Sequence, residues 1–315
     1  MEFLSALLNS MPGAVTQGLI WGIMAIGVYI TFRILDIADL TVDGSLCTGG
    51  AVCVVLTLNG CPVWIALLAA LIAGMLAGLV TGVFHTFCGI PAILAGILTQ
   101  LALYSINLRI MGFGTPNGSR SNLPISVDKY DLLVSSRFVR ELSLNNPLIK
   151  LVIFLAIIIA VLYWFFGTET GCSLRATGAN GNMARAQGIN TNFAKVLGLM
   201  ISNGLVALSG GLLAQYQGFS DINMGRGAIV IGLAAVIIGE VIFEKVFRNF
   251  ALKLVACVIG AIIYYIVIQF VLKLGLSTDD LKLLTALVVM FFLAIPYWKG
   301  RYFNKPGKKG AQSHA

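Results

Sequence analysis

The chain has 315 residues, of which 58% are hydrophobic and only 11% are charged. Several apolar runs reach the length of about 18 residues that a helix needs to cross the apolar core of a bilayer. A soluble globular domain is therefore excluded. The net charge of +8 comes from loops and from the end of the chain rather than from one helical face, so it indicates membrane orientation and not nucleic-acid binding. The six cysteines are scattered without a C-x-x-C pair, which predicts neither a disulfide framework nor a zinc site.

The first predicted element is a spanning helix over residues 13–35, preceded by a short interfacial turn before Pro12. No Lys or Arg occurs before Arg33, so the cationic start of a signal peptide is missing. We therefore expect this helix to be retained as a membrane span.

Three acidic residues follow the first helix within eight positions: Asp36, Asp39 and Asp43. A carboxylate at mid-depth in a bilayer costs about 2.5–3.5 kcal/mol or more. The second helix is therefore either entered late, near Ser45, or broken where it lines a cavity. The acids either cap a helix start at the membrane edge, or place Asp39 or Asp43 on the translocation path, facing a substrate ammonium group.

Seven further spans are predicted, at residues 62–87, 90–111, 147–166, 193–216, 228–243, 252–272 and 281–297. The 35 glycines allow close helix packing in lipid. The expected fold is an all-α, polytopic membrane helix bundle of about nine spans, Gly-rich, with broken helices, forming a single transmembrane domain over residues 1–315. A short internal repeat is also expected, because a Gly-rich helix runs into Asp-Ile-Ala-Asp-Leu at 36–40 and another runs into Asp-Ile-Asn-Met at 221–224.

Three longer polar segments among those outside the predicted spans bear on topology and partners. Residues 112–147 form the longest, which is either an extracytoplasmic loop with a short surface helix or a passive connector. Residues 298–315 are a basic tail, which the positive-inside rule puts in the cytoplasm. Alternation of the spans then puts the N-terminus outside and residues 168–192 in the cytoplasm.

The segment 168–192 is rich in Gly and Asn and lies between two strongly apolar runs. Its spacing supplies turns and helix caps, and predicts a short helix at about 183–187 held between two turns. Such a segment would be a rigid protrusion from the membrane. Its two arginines, Arg175 and Arg185, either meet acidic groups on a cytoplasmic partner or only satisfy the positive-inside rule.

The sequence resembles the permease subunits of ATP-binding-cassette (ABC) importers of the branched-chain amino acid and ribose class. The resemblance is carried by residues 39–45, by the pattern Ala176-x-Gly178-x-Asn180 followed by 188–190, and by the glycine-ending run 234–239. It implies that residues 168–192 are a coupling loop that docks on an ATPase subunit. The residues carried over to coupling are Arg175, Gly178, Asn180, Met183, Ala184, Arg185, Gly188 and Ile189.

Within that class, the sequence is most similar to permeases paired with lipoproteins that bind aromatic amino acids, tyrosine or tryptophan. It departs from the branched-chain relatives at its three early acids and at Glu240, where a second glycine is common. The resemblance implies a homodimer in a bacterial plasma membrane, with an extracytoplasmic substrate-binding lipoprotein. It implies no cofactor or metal in this chain, because the partner ATPase binds ATP.

The sequence contains no G-x-x-x-x-G-K-[ST] phosphate loop, so nucleotide hydrolysis is expected on a separate subunit and this chain is not expected to be an enzyme. The absence of H-E-x-x-H and G-x-S-x-G motifs agrees with that expectation. The alternative from another class is an ion-coupled secondary transporter or channel, for which Asp39, Asp43 and Glu240 would be the intramembrane carboxylates. Glu240 is otherwise a helix-end residue near the cytoplasm.

Overall fold

The computed structural model describes residues 2–115, 118–126, 129–130, 132–136, 146–243 and 249–273, and seven helical positions between 283 and 294. Ten α-helices and one π-helical turn are found in these ranges. Their bounds are α1 Glu2–Tyr29, the π-helical turn Ile30–Ile34, α2 Val42–Leu58, α3 Val63–Thr86, α4 Ala92–Met111, α5 Pro147–Phe166, α6 Glu169–Ala179, α7 Gly181–Ala186, α8 Thr191–Gln217, α9 Ala228–Phe243 and α10 Phe250–Lys273. Two short strands, β1 Asn122–Pro124 and β2 Phe219–Asp221, pair antiparallel.

Six of the described helices are long and apolar enough to cross a membrane: α1 with the π-helical turn, α3, α4, α5, α8 and α10. The expectation of an all-α, multi-pass membrane protein is thus confirmed. Helices α2 and α9 are apolar but shorter, at 17 and 16 residues. The total of nine spans stays a prediction, because the ninth, 281–297, lies mostly outside the described residues, as does the whole of the basic tail 298–315.

The start of the chain differs from the sequence-based expectation. Helix α1 begins at Glu2 and includes Pro12, where an interfacial turn was expected. A proline inside a helix removes one backbone donor, but the residues around it remain helical here. The hydroxyl of Thr16 donates to the carbonyl oxygen of Pro12 at 2.7 Å, one turn further along the helix.

Helices α1 and α8 lie at the centre of the bundle, and α3, α4 and α5 lie at its periphery with most of their surface exposed. Helix α8 packs against α2 and α3, and α1 packs against α10. The crossing of α2 and α8 depends on glycine: a Cβ on Gly49 would overlap the carbonyl of Ala207, and one on Gly210 would overlap the carbonyl of Leu46. Small residues therefore set the close backbone approach that was expected for packing in lipid.

The chain is broken between helices at two places. Residues 35–41 leave the π-helical turn as an irregular segment before α2 begins at Val42. After α8, residues 218–227 contain β2 and a series of turns before α9 begins at Ala228. Each break is followed by one of the two short apolar helices. The predicted broken helices and the internal repeat behind them both stay predictions.

Candidate functional site

The segment 168–192 folds as two short helices and a turn. The Thr168 hydroxyl accepts from the amide of Gly171 at the start of α6, and the Asn180 side chain accepts from the amide of Met183 at the start of α7, at 3.4 and 3.0 Å. Gly188 has a φ of +83°, which suits glycine, and ends this pair of helices before Asn190 caps α8. Helix α7 overlaps the short helix expected at about 183–187 and is followed by a turn, but it is preceded by helix α6 rather than by the second expected turn.

Helix α6 was missed by the sequence-based interpretation, which predicted only one short helix at about 183–187 between two turns. The signal was present but weak. Thr168 followed by Glu169 is a common start of a helix, and Gly171, Leu174 and Thr177 recur every three residues and form its buried face. Because only one of these three is a large apolar residue, the helical periodicity does not stand out from the polar composition.

The eight residues assigned to coupling lie close together along the chain but face different ways. Met183 is 61% exposed at the tip of α7, whereas Ala184 beside it is 2% exposed. The Arg185 Nε atom donates to the Thr191 hydroxyl at 3.2 Å. Arg175 lies over the ring of Phe250, 5.6 Å from the ring centroid to the guanidinium carbon. Arg175, Asn180, Arg185 and Gly188 are exposed, and Gly178 and Ile189 are half-buried.

Gly178 packs against the end of the first helix. A Cβ at this position would overlap the carbonyl oxygen of Ile34, the last residue of the π-helical turn. The side chain of Leu35 fills the space beside Gly198 on α8, near Leu174 of α6. The segment 168–192 is therefore in direct contact with the point at which the first break in the chain begins.

The irregular segment 35–41 passes from the surface to the interior within four residues. Asp36 is exposed and has a φ of +55°, and Asp39 is 2% exposed. One carboxylate oxygen of Asp39 accepts from the backbone amide of Thr41 at 2.9 Å, and the other accepts from the side-chain amide of Asn203 at 2.6 Å. Both oxygens are thus occupied by groups of the protein itself.

Asp39 belongs to a buried polar cluster that joins α2, α3, α4 and α8 and consists of Asp39, Thr41, Ser45, Thr81, Thr99 and Asn203. The hydroxyls of Thr41 and Thr81 lie 2.7 Å apart, and Thr81 donates to Thr99 at 2.9 Å. The Ser45 hydroxyl donates to the Asn203 side-chain oxygen at 2.6 Å. Because each side chain in this network has a hydrogen-bond partner, the network holds the four helices in one arrangement.

Asp43 joins α2 to the start of α9. Its carboxylate oxygens accept from the backbone amides of Gly227 and Ile229, both at 3.0 Å, at the start of α9. One turn later, Cys47 donates to the Ile222 carbonyl and accepts from the Gly225 amide, both at 3.2 Å. Asp43 therefore caps a helix that starts about 185 residues later in the chain, an arrangement typical of a carboxylate at the positive end of a helix dipole.

Glu240 lies in the last turn of α9, where its Oε1 accepts from the Arg33 Nε atom at 2.8 Å. The side chains are 30% and 58% exposed, so water reaches the pair. This is the only ion pair among the residues that the structure describes. Within the same ranges there is no group of three His, Cys, Asp or Glu side chains that could hold a metal ion. None of this geometry tests whether Asp39, Asp43 or Glu240 lines a translocation path, and that role stays a prediction.

A comparison with protein families identifies the family of this chain. The model for the permease component of branched-chain amino acid transport systems matches residues 10–294. The chain belongs to this permease family. It is accordingly a membrane subunit of an amino acid transport system, as the resemblance implied, and it is one component of a larger assembly.

Two curated proteins are similar to this permease over nearly their whole length. The tyrosine transport system permease protein of Clostridioides difficile (strain R20291) is 42% identical over 287 residues, which cover 91% of each chain. An uncharacterised protein of Rickettsia prowazekii (strain Madrid E) is 37% identical over 289 residues, covering 91% of this chain and 98% of the relative. Among solved structures, PsaBC from Streptococcus pneumoniae in complex with Fab matches with a TM-score of 0.42 and 17% identity, over 85% of this chain and 95% of that one.

Proposed function

We propose that this permease imports an aromatic amino acid, with tyrosine as the first candidate, using ATP that a separate subunit hydrolyses. Two copies of the chain form the pathway in a bacterial plasma membrane, with the N-terminus outside and the C-terminus in the cytoplasm. The ATPase docks on the segment 168–192, and an extracytoplasmic lipoprotein delivers the substrate. The chain itself performs no catalysis and binds no cofactor.

The observation that carries the coupling proposal is the contact of Gly178 with Ile34. Helix α7 presents exposed Met183 and Arg185, while α6 beside it packs on the end of the first helix without room for a Cβ. A displacement of the two helices by an ATPase would therefore act directly on the residues that lead to Asp39. A surface of this kind is what an ATP-driven permease needs and what an ion-coupled transporter has no use for.

The choice of tyrosine rests on sequence similarity, because the Clostridioides difficile relative at 42% identity carries tyrosine transport in its name. The early acids do not add to this choice. The contacts of Asp39 and Asp43 favour a role in holding the broken helices together, because their carboxylate oxygens already accept hydrogen bonds from the protein. Substrate selection would then come mainly from the binding protein.

The coupling proposal is tested by placing a charge on the exposed tip of α7. Met183→Asp should lower co-purification of the ATPase subunit, and ATP-dependent uptake of labelled tyrosine by proteoliposomes, by at least about tenfold. We place Met183 at the centre of the interface, where the few residues that dominate binding each contribute about 2 kcal/mol or more. Phe113→Asp is the matched control: Phe113 is an exposed apolar side chain beyond the far end of α4. ATPase binding in that variant should match the wild type.

Two results would contradict the proposal. One is an unchanged ATPase association in Met183→Asp. The other is uptake that persists after ATP depletion and follows an ion gradient, which would favour the secondary transporter instead. Substrate identity is tested separately, by competing labelled tyrosine with tryptophan, phenylalanine and leucine in the same proteoliposomes.

A further inference from the structure

A cavity lies where α5 ends and α6 and α10 begin. Its volume is about 590 Å³, and its walls include Tyr163, Trp164, Thr168, Arg175, Asn249 and Phe250. None of the described residues that line it is acidic. The cavity shares Arg175 with the residues assigned to coupling, and none of its lining residues belongs to the buried polar cluster.

The cavity lies at the boundary between lipid and water. Helix α5 is a 20-residue apolar span that ends at Phe166, and the polar segment 168–192 starts immediately after it. Tyr163 and Trp164 in its last turn are 57% and 72% exposed. Exposed Trp and Tyr at the end of a spanning helix are typical of the headgroup level of a bilayer.

An apolar face leads along α5 to the mouth of the cavity. Ile153, Ile157 and Val161 recur every four residues, are each more than half exposed, and lie on the same side of the helix as Trp164. A helix rises about 1.5 Å per residue, so the face from residue 153 to residue 164 is about 16 Å long. That is much of the length of one acyl chain. A molecule that occupies the cavity from this side therefore has an apolar part along α5 and a polar part at its end.

The polar end of the cavity is cationic. Arg175 is exposed to solvent, and its guanidinium group lies over the Phe250 ring, which fixes its direction. No carboxylate in the described part of the chain forms an ion pair with it, since the only pair there is between Arg33 and Glu240. A guanidinium group suits a phosphate because it donates two parallel hydrogen bonds to it.

From these four features, we infer that the cavity binds the phosphate headgroup of an anionic phospholipid, with Arg175 as the phosphate ligand and the Ile153–Trp164 face of α5 as the seat of an acyl chain. The Thr168 hydroxyl and the Asn249 side chain stand beside the headgroup in this arrangement. In this inference Arg175, which the resemblance assigned to coupling, instead anchors the base of the segment 168–192 to lipid, whereas Met183 and Arg185 on α7 meet the ATPase. The inference does not depend on which solute the permease carries.

The test compares two arginines of the same segment in the full chain. Arg175→Gln and Arg185→Gln each remove one exposed charge, but only Arg175 lines the cavity. We expect phosphatidylglycerol retained through purification, measured by native mass spectrometry, to fall roughly fivefold in Arg175→Gln, since one basic residue near an anionic surface contributes about that factor. Arg185→Gln should retain as much as the wild type, and Arg175→Lys should retain an intermediate amount.

A second measurement identifies the source of the phosphate. In phosphatidylcholine nanodiscs, adding phosphatidylglycerol to the bilayer should raise the thermal unfolding midpoint of the wild type and not of Arg175→Gln, while inorganic phosphate should have no effect. Equal lipid retention in Arg175→Gln and Arg185→Gln would overturn the inference. A stabilisation by inorganic phosphate equal to that by the lipid would mean a site for a free anion. Loss of the dimer or of the ATPase in Arg175→Gln, with lipid retention unchanged, would mean that protein covers the cavity.

Discussion

Gly178 lies where the segment 168–192 meets the end of the first helix, and its missing side chain is what allows the contact. Two effects oppose each other when alanine replaces a helical glycine. The helix gains up to about 1 kcal/mol from the better propensity of alanine. At Gly178 this gain is outweighed, because the new methyl group would overlap the backbone oxygen of Ile34, which cannot turn away as a flexible side chain would.

Gly178→Ala is therefore expected to lower stability by about 1–3 kcal/mol and to reduce ATP-driven uptake more than it reduces ATPase binding, since α7 itself is unchanged. Gly181→Ala provides the control, because nothing lies within 4 Å of a Cβ built at Gly181, in the first turn of α7. Thermal unfolding and uptake should be unchanged or slightly improved in that variant. Equal behaviour of the two variants would show that the close approach at Gly178 has no mechanical role.

Asp43 is the second residue whose contribution to stability can be measured by a single substitution. Its two oxygens accept backbone hydrogen bonds from Gly227, directly before α9, and from Ile229 in the first turn of α9. An asparagine keeps one acceptor and turns an NH₂ group toward the other amide, so Asp43→Asn should cost about 1–3 kcal/mol. The thermal unfolding midpoint of the purified chain measures this loss.

The control for that substitution is Asp36→Asn in the same acidic segment. Asp36 is exposed, and its φ of +55° is one that asparagine adopts readily, so the unfolding midpoint should not move. If Asp36→Asn destabilises the chain as much as Asp43→Asn does, the general loss of negative charge would be the cause rather than the cap on α9.

At the level of elements, the spans were predictable and the contacts between them were not. The bounds of α5 and α9 agree with the apolar runs 147–166 and 228–243, because hydropathy over a membrane-length window depends only on local composition. Helix α6 was not predicted, because its buried face is made of Gly171, Leu174 and Thr177 rather than of large apolar residues. The cap of α9 by Asp43 joins residues far apart in the chain, and no local pattern contains that information.

At the candidate site too, local composition was predictable from the sequence and contacts between distant residues were not. The acidic segment and the segment 168–192 were both singled out by composition, since polar residues between apolar spans are conspicuous. Their contact through Gly178 and Ile34, and the hydrogen bond from Asn203 to Asp39, required the fold. Asn203 gave no signal in the sequence, because a single amide in an apolar helix does not change the hydropathy of that helix.

Asn203 connects α8 to α2 through the buried polar cluster and gives the prediction for this level. Asn203→Ala removes the donor to Asp39 and the acceptor for Ser45, so a buried carboxylate loses one of its two partners. We expect a loss of about 3 kcal/mol, seen as a lower unfolding midpoint. The double variant with Asp39→Asn should lose about 1 kcal/mol less than the sum of the two single losses, because both substitutions remove the same hydrogen bond.

Asn107→Ala on α4 is the matched control for Asn203→Ala. Asn107 is equally buried, but its side-chain oxygen has no hydrogen-bond partner among the described residues, and its amide reaches the Gly44 carbonyl only at 3.4 Å. Its removal should cost clearly less. Equal losses for the two asparagines would mean that volume, and not the bond to Asp39, determines the effect.

For the molecule as a whole, native cysteines report the orientation in the membrane. Cys61 lies between α2 and α3, Cys88 follows α3, and Cys172 is on α6. Cys88 and Cys172 are exposed, Cys61 is partly exposed, and Cys47, Cys53 and Cys257 are buried. Because α3 is long enough to span the membrane, Cys61 and Cys88 should lie on opposite sides of it.

With the segment 168–192 in the cytoplasm, a membrane-impermeant maleimide added to right-side-out vesicles should label Cys61 alone, and the same reagent on inside-out vesicles should label Cys88 and Cys172. Variants that each keep one of these three cysteines and have serine at the other two separate the signals, and labelling after detergent treatment shows that each thiol is reactive. The reverse pattern would put the segment 168–192 outside the cell. The ATPase could not then reach α7, and both the orientation and the proposed coupling would have to be abandoned together.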